Sequence, residues 1–146
     1  MVKVKIKKLS DKARIPEYGS LFAAGADLYA VTDGKVEILP GQTEMIKTGI
    51  SAEIPEGYAG LVYARSGLAS KRGLAPANKV GVIDSDYRGE IIVALHNHST
   101  EKQEIDDGER IAQLVITPFL RVEFEEAESL SETDGGTGGF GSTGTK

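Results

Sequence analysis

The sequence predicts an all-β domain of the jelly-roll or β-barrel type, with one short helix and a flexible C-terminal tail. Short stretches rich in apolar and β-branched residues recur along residues 2–124, and turn signals such as Asp33-Gly34 and Asp107-Gly108 separate them. No long segment places apolar residues at the 3.6-residue period of a helix. The length of 146 residues and the hydrophobic content of 40% fit one domain with a single core.

The strands are predicted from period-2 alternation and from short apolar runs. Residues 2–6 alternate valine or isoleucine with lysine, which is typical of a strand with one buried face. A short helix is predicted at residues 66–72. We predict a domain over residues 1–130 and a mobile glycine-rich tail over residues 131–146. The further predicted strands cover residues 26–31, 36–39, 43–54, 58–64, 80–84, 90–97 and 110–124.

The charge and the composition exclude several functions. A formal net charge of −5 opposes a broad basic surface for nucleic acid, so phosphates would be bound locally by a few arginines, backbone N–H groups or a metal ion. The absence of cysteine excludes disulfides, thiolate catalysis and cysteine-ligated zinc. The sequence shows no signal peptide and no apolar run long enough to span a membrane. We expect a cytoplasmic protein that binds neither membranes nor nucleic acid.

The tail contains six glycines and one aromatic residue, Phe140, within residues 135–144. Its G-x-G-x-x-G sequence has no strand before it and no helix after it, so neither a dinucleotide fingerprint nor a P-loop is predicted. The backbone N–H groups and the hydroxyls of Ser142 and Thr143 could wrap around phosphate oxygens. Phe140 would then be a hydrophobic anchor or a stacking platform for a base. The alternative, on composition, is a disordered tail.

Two internal segments place polar groups at the ends of predicted strands. Arg65 and Ser66 follow a strand and open the predicted helix, where exposed N–H groups favour anions. The alternative there is an ordinary turn capped by Ser66. Residues 78–90 are predicted to form a β-hairpin, in which Asp84 ends an apolar strand and could take a proton from water. The hairpin backbone would suit the edge of a base, and the alternative is a solvated acidic turn.

Asp27 and Gln113 are polar residues in apolar surroundings. Asp27 could hold Mg²⁺ through water or pair with an arginine, and pairing is the favoured interpretation of that segment alone. Gln113 interrupts an apolar run and needs a hydrogen-bond partner when buried, either in the protein or in a ligand phosphate. His96 and His98 share one strand face, but two imidazoles do not make a zinc site and the sequence has no third histidine.

Five blocks of the sequence, in this order, resemble the five motifs of the homotrimeric dUTP diphosphatases. They are AGADLYA (24–30), ARSGLA (64–69), NKVGVIDSDYRGE (78–90), GERIAQLVI (108–116) and GGTGGFGSTG (135–144). The resemblance implies a jelly-roll subunit and a homotrimer whose three active sites are each built from several subunits. It implies hydrolysis of dUTP to dUMP and pyrophosphate with Mg²⁺. That activity would lower dUTP, which limits uracil in DNA, and would supply dUMP for dTTP synthesis.

The resemblance also implies a role for each matching residue. Asp84 would activate the water that attacks the α-phosphorus, and Arg65 and Gln113 would assist catalysis at the phosphates. Asp27 would assist the water shell of a Mg²⁺ ion held mainly by the substrate's phosphates. Asn78, Val82 and Ile83 would read uracil, and Tyr87 would pack under the deoxyribose. Ser66 and Gly67 would bind the phosphates. The tail would close a neighbouring subunit's site through Phe140, which would stack on uracil, and through Gly141, Ser142 and Thr143.

One position departs from the family. The fifth motif usually opens with an arginine that reaches the γ-phosphate, and Gly135 stands there in this chain. The first alternative is therefore a dUTP-binding protein with weakened turnover, and Lys146 is a candidate substitute cation. Two further alternatives are a dCTP deaminase of the same fold and a purely structural trimer.

Overall fold

The computed structural model describes residues 1–145, which form eleven strands and one short helix. The fold is therefore all-β, as predicted. The predicted helix is found with both ends where the sequence places them, as α1 (Ser66–Arg72). The strands are β1 (Lys5–Lys8), β2 (Glu17–Tyr18), β3 (Ala26–Tyr29), β4 (Val36–Ile38), β5 (Thr43–Glu53), β6 (Tyr58–Tyr63), β7 (Leu74–Pro76), β8 (Gly81–Ile83), β9 (Glu90–Asn97), β10 (Gln103–Ile105) and β11 (Arg110–Pro118).

The strands form two large antiparallel sheets and one two-stranded ribbon. One sheet has the order β1-β5-β9-β7, the other has the order β2-β3-β11-β6-β8, and the ribbon pairs β10 with β4. Apolar side chains from both large sheets meet in one core, whose buried members include Leu28, Ile50, Leu95 and Ile111. Two antiparallel sheets that enclose one core give the jelly-roll-like arrangement.

Strand β9 ties the core to the ribbon. Its residues alternate, so that Ile91, Val93 and Leu95 face the core. Asn97 ends the strand with its side chain fully buried, and its Nδ2 atom donates to the carbonyl oxygens of Ile38 and Glu101, each over 2.8 Å. These bonds offset the cost of burying an amide.

Three strands lie outside the sequence prediction. Strands β2, β7 and β10 contain only two or three residues each, which is too short for a period-2 pattern. Their partners lie elsewhere in the chain, since β7 pairs with β9 and β10 pairs with β4. The strand predicted over residues 110–124 ends early, at Pro118, because its partner β6 begins opposite that residue at Tyr58.

The β-hairpin predicted over residues 78–90 is wrong. Strand β8 pairs with β6 in the five-stranded sheet, whereas β9 pairs with β5 and β7 in the other sheet. The turn between them therefore carries the chain from one sheet to the other. The physical reason is that Ile83 and Ile91 both bury their side chains in the core between the sheets. Two apolar strands joined by a polar turn have the same local pattern in both arrangements.

The chain after β11 runs over the surface. Every described residue from Pro118 onward is exposed, including the large apolar side chains of Leu120, Phe124 and Phe140. Within residues 1–145, no helix is long and apolar enough to cross a membrane.

Candidate active site

A cavity of about 360 Å³ opens beside the end of β8. Asn78, Val82, Ile83, Asp84 and Tyr87, all predicted site residues, line it together with the middle of β9. The structure therefore brings these five residues, predicted for binding uracil and deoxyribose and for activating water, to one place, without Phe140 of the tail. The remaining lining residues are Met45, Val62, Pro76, Gly81, Glu90, Ile91, Ile92, Val93 and Ala94.

The short strand β8 sets the orientation of this cavity. Val82 points outward and is 64% exposed, whereas Ile83 points into the core. Immediately after Ile83 the chain leaves the sheet, and the side chain of Asp84 is exposed there. The backbone oxygen of Asp84 accepts a hydrogen bond from the N–H of Tyr87 over 3.1 Å, which closes the turn. The carboxylate thus stands at a strand end on the cavity wall, as predicted.

Asn78 occupies the turn that leads into β8. The N–H of Lys79 donates to the carbonyl of Pro76 over 3.0 Å, and Lys79 has a positive φ of 66°. The amide of Asn78 lies over Gly81, where a β-carbon would come within 3.3 Å of its Nδ2 atom. The amide therefore sits close to the β8 backbone, at the side of the cavity.

A second group of predicted residues forms on the other side of β6. Asp27 lies directly opposite Gln113 in the sheet, and its carboxylate Oδ1 accepts from Nε of Arg65 over 2.8 Å. The side chain of Asp27 is 12% exposed. Gln113 donates from Nε2 to the carbonyl of Ala64 over 2.8 Å. The predicted arginine partner of Asp27 is thus found, and the partner of Gln113 is in the protein.

Two residues of this group lie outside the prediction. Arg110 donates from Nη1 to Oδ2 of Asp27 over 3.3 Å, so each oxygen of that carboxylate is bonded to an arginine. Gly25 lies against Gln113, where a β-carbon would stand 2.3 Å from the side-chain oxygen Oε1. Gly25 and Arg110 belong to two of the blocks quoted above, but the sequence gives no sign of which partners they meet across the sheet.

The two groups remain separate within one chain. Strand β6 lies between them, with Tyr63 opposite Gln113 on one side and Val62 opposite Gly81 on the other. Two strand spacings amount to about 10 Å. Among residues 1–145, no side-chain hydrogen bond or ion pair joins one group to the other.

Ser66 and Gly67 are exposed at the start of α1. The alternative that Ser66 caps the helix is wrong, because Arg65 occupies the N-cap position with an extended backbone and Ser66 is the first helical residue. The helix has no side-chain cap, because the guanidinium of Arg65 has only N–H donors and cannot accept a bond from the helix N–H groups. The helix ends at Gly73, whose φ of 65° allows its N–H to reach the carbonyl of Ala69.

The predicted tail residues do not reach either group within one chain. Phe140 is fully exposed, with a positive φ of 50°. Phe140 lies within a tight turn in which Ser142 N–H donates to the carbonyl of Gly139, and in a second turn Gly144 N–H donates to the carbonyl of Gly141. The exposed segment also includes Gly135 and Thr143. The candidate cation Lys146 lies outside the described residues.

Metal ligands are sparse in this part of the molecule. Within residues 1–145, no three histidine, aspartate or glutamate side chains cluster as a metal site. The two oxygens of Asp27 already hold arginines, so Asp27 offers a Mg²⁺ ion only outer contacts in this conformation. This donor set fits an ion whose ligands come mainly from substrate phosphates.

Of the two histidines, His96 lies in β9 and His98 lies just beyond its end. Nδ1 of His96 lies 2.8 Å from the hydroxyl of Thr43. Burial of the imidazole, and then the nearby Lys79 and His96, lower the pKa of His98.

Comparisons with known proteins agree with these features. A family model described as dUTPase matches residues 11–144. The deoxyuridine 5'-triphosphate nucleotidohydrolase of Desulfitobacterium hafniense is 53% identical over 98% of this chain and 97% of its own length. The protein of the same name from Nautilia profundicola is 52% identical over 98% of this chain and 99% of its own length.

Solved structures give the same result for the fold. The Staphylococcus bacteriophage 80alpha dUTPase with dUPNHPP superposes with a TM-score of 0.90 at 32% identity, over 98% of this chain and 99% of that one. A mutant dUTPase from phage phi11 of S. aureus, described with a structural Mg(II) ion, superposes with a TM-score of 0.78 at 29% identity, over 87% of this chain and 97% of that one. The fold is thus the all-β fold of the solved dUTPases. The chain belongs to the dUTPase family.

Proposed function

We propose that this chain is a dUTP diphosphatase, which hydrolyses dUTP to dUMP and pyrophosphate. The observation that carries the proposal is the cavity beside β8, where an amide, a strand backbone, a tyrosine ring and a carboxylate line one space: Asn78, Val82, Ile83, Tyr87 and Asp84. The relatives at about half identity carry the name of this activity.

Strand β8 suits the reading of a base because it is the edge strand of its sheet. An edge strand leaves a row of backbone N–H and C=O groups unpaired, in a fixed order. Together with the amide of Asn78, these groups can match the donor and acceptor order of uracil. Cytosine would leave mispaired polar groups, at a cost of about 1–3 kcal/mol for each one that is buried.

Asp84 acts as the base in the proposed reaction. Its carboxylate accepts a proton from a water molecule, and the oxygen of that water bonds to the α-phosphorus. The bond from the α-phosphorus to the bridging oxygen breaks, and pyrophosphate leaves with the electron pair. A positioned carboxylate of this kind typically contributes a factor on the order of 10²–10⁴ to the rate.

The group around Asp27 holds the phosphates in this proposal. Arg65 is bonded to Asp27 through Nε, which leaves its terminal N–H groups for phosphate oxygens. The exposed start of α1, with Ser66 and Gly67, lies next to it, and Gln113 is one strand away. A bound Mg²⁺ ion would neutralise charge on the phosphates, which matters in a protein of net charge −5.

We propose that the working enzyme is a homotrimer with shared sites. In one chain the base-reading cavity, the Asp27 group and Phe140 are three separate features, so neighbouring chains would complete each site. The 22 residues that follow Pro118, up to and including Phe140, can span up to about 70–80 Å when extended. In this proposal residues 1–130 form the catalytic domain, and residues 131–146 are a mobile tail that closes a neighbour's site.

The alternative of a dUTP-binding protein with weakened turnover has no support in the comparisons, where the relatives are named as nucleotidohydrolases. A dCTP deaminase and a structural trimer lack support for the same reason. A cytoplasmic location, without membrane or nucleic-acid partners, fits the small nucleotide substrate. There the enzyme would limit uracil in DNA and supply dUMP for dTTP synthesis.

Product analysis with a panel of deoxynucleoside triphosphates tests the proposal. Purified chain should release pyrophosphate and dUMP from dUTP in the presence of Mg²⁺, and chelation with EDTA should suppress the reaction. Light scattering should give the mass of three chains. Release of ammonia from dCTP, or no product from dUTP, would overturn the proposed activity.

A further inference from the structure

Gly89 lies against the ring of Tyr87 at the wall of the cavity. A β-carbon at position 89 would stand 2.4 Å from Oη, 2.6 Å from Cζ and 3.0 Å from Cε2 of the tyrosine. Ordinary contacts of a β-carbon begin at 3.4 Å. Any larger residue at this position would therefore displace the ring by about 1 Å.

Backbone conformation does not explain the glycine at this position. The φ of Gly89 is not positive, so an L-residue could adopt its backbone conformation without strain. The missing side chain is therefore needed for space, and the space is taken by the ring of Tyr87. The hydroxyl of the same ring donates to the carbonyl of Glu90 over 2.8 Å, and the backbone N–H of Tyr87 donates to the carbonyl of Asp84, which fixes the turn that carries the ring.

We propose that Gly89 is a specificity-determining positioning residue that acts through Tyr87. By leaving room for the ring, Gly89 sets how much of the cavity remains for the sugar, and so sets the discrimination between deoxyribose and ribose. The inference rests on the proposed function, in which Tyr87 packs under the deoxyribose. The hydroxyl is the atom closest to the added carbon, so a displaced ring swings at its outer end and loses its bond to Glu90.

The test compares Gly89→Ala with the parent chain on dUTP and UTP. We expect the ratio of kcat/KM for dUTP to that for UTP to fall about tenfold to a hundredfold, because a misplacement of about 1 Å can cost a factor on the order of 10². Gly19→Ala is the matched control, since Gly19 has open space around it and no positive φ. It should leave the ratio unchanged. Equal losses with both substrates in Gly89→Ala would overturn the inference.

A double-mutant cycle separates this role from a general loss of structure. In a Tyr87→Ala background, adding Gly89→Ala should change the ratio no further, because the ring through which it acts is gone. A further fall would overturn the inference. Calorimetric affinities for dUMP and UMP give the same ratio without turnover, should a variant lose activity.

These measurements also distinguish the two proposals. If the parent chain releases no pyrophosphate from dUTP, the proposed function fails. The ratio of the affinities for dUMP and UMP, compared between the parent and Gly89→Ala, still tests whether Gly89 positions the ring of Tyr87. If the parent hydrolyses dUTP and Gly89→Ala keeps the full discrimination, only the role of Gly89 fails.

Discussion

The guanidinium of Arg65 donates from Nε to Oδ1 of Asp27 over 2.8 Å, which links the residue before helix α1 to strand β3. Arg110 binds the other carboxylate oxygen over 3.3 Å. Both arginines are more exposed than the carboxylate, with 30% and 53% of their side chains accessible. Asp27 therefore holds two arginines in the group that we propose binds the phosphates of the substrate.

Replacing Asp27 by asparagine should lower the free energy of unfolding. The change leaves two arginines without a counter-charge, and hydrogen bonds to charged groups contribute about 1.5–3 kcal/mol. We expect a loss of about 1–3 kcal/mol, since solvent screens the partly exposed arginines. Urea denaturation at one fixed protein concentration measures it.

Glu37→Gln is the matched control for this change. Glu37 also pairs with a cation, Lys102, over 2.9 Å, but its side chain is 58% exposed. We expect it to cost less than about 1 kcal/mol. Equal effects of the two substitutions would contradict the structural importance of the Asp27 pair.

Asp84→Asn should nearly abolish turnover while leaving nucleotide binding intact. Asparagine keeps the shape of the side chain but cannot accept the proton of the attacking water, so kcat should fall by a factor on the order of 10²–10⁴. Pyrophosphate release measures the rate. Asp86→Asn, an exposed acid in the same turn, should keep most of the activity. Full activity in Asp84→Asn would refute the role of this carboxylate.

Phe140→Ala should weaken substrate binding without changing stability. The side chain is fully exposed in one chain, so its removal leaves no cavity. Stacking of a base on an aromatic ring contributes about 1–3 kcal/mol, which corresponds to a rise in KM of about 5- to 150-fold. Phe124→Ala removes another exposed ring, 16 residues earlier, and should leave KM unchanged. Equal KM changes in both variants would point to a general effect of the exposed segment.

Gly135→Arg should strengthen binding of the triphosphate, which lowers KM. A guanidinium at this point of the tail adds a charge-assisted hydrogen bond to the γ-phosphate, and about 1.5–3 kcal/mol of stabilisation corresponds to a rise of about 10- to 150-fold in kcat/KM. Thr137→Arg places the same charge two residues further along and controls for net charge. An unchanged kcat/KM in Gly135→Arg would mean that this chain closes its site by other means.

The sequence by itself determined the local elements of this protein. A short apolar run predicted β9 with both ends where the structure has them, and the helix at residues 66–72 was also predicted with both its ends. Both predictions rest on signals from residues that are close together in the chain. The strand end at Asp84 and the five blocks of the site belong to this local information as well.

The tertiary structure decided how those elements meet. It placed the two strands of the predicted hairpin in different sheets, and it gave Asp27 a second arginine partner, Arg110. It also packed the side chains of Gln113 and Tyr87 against Gly25 and Gly89, where a β-carbon would collide with them. Each of these contacts depends on which strands pair and on what a missing β-carbon faces. Local periodicity contains neither, because sheet pairing joins residues that are distant along the chain, so only the folded packing defines them.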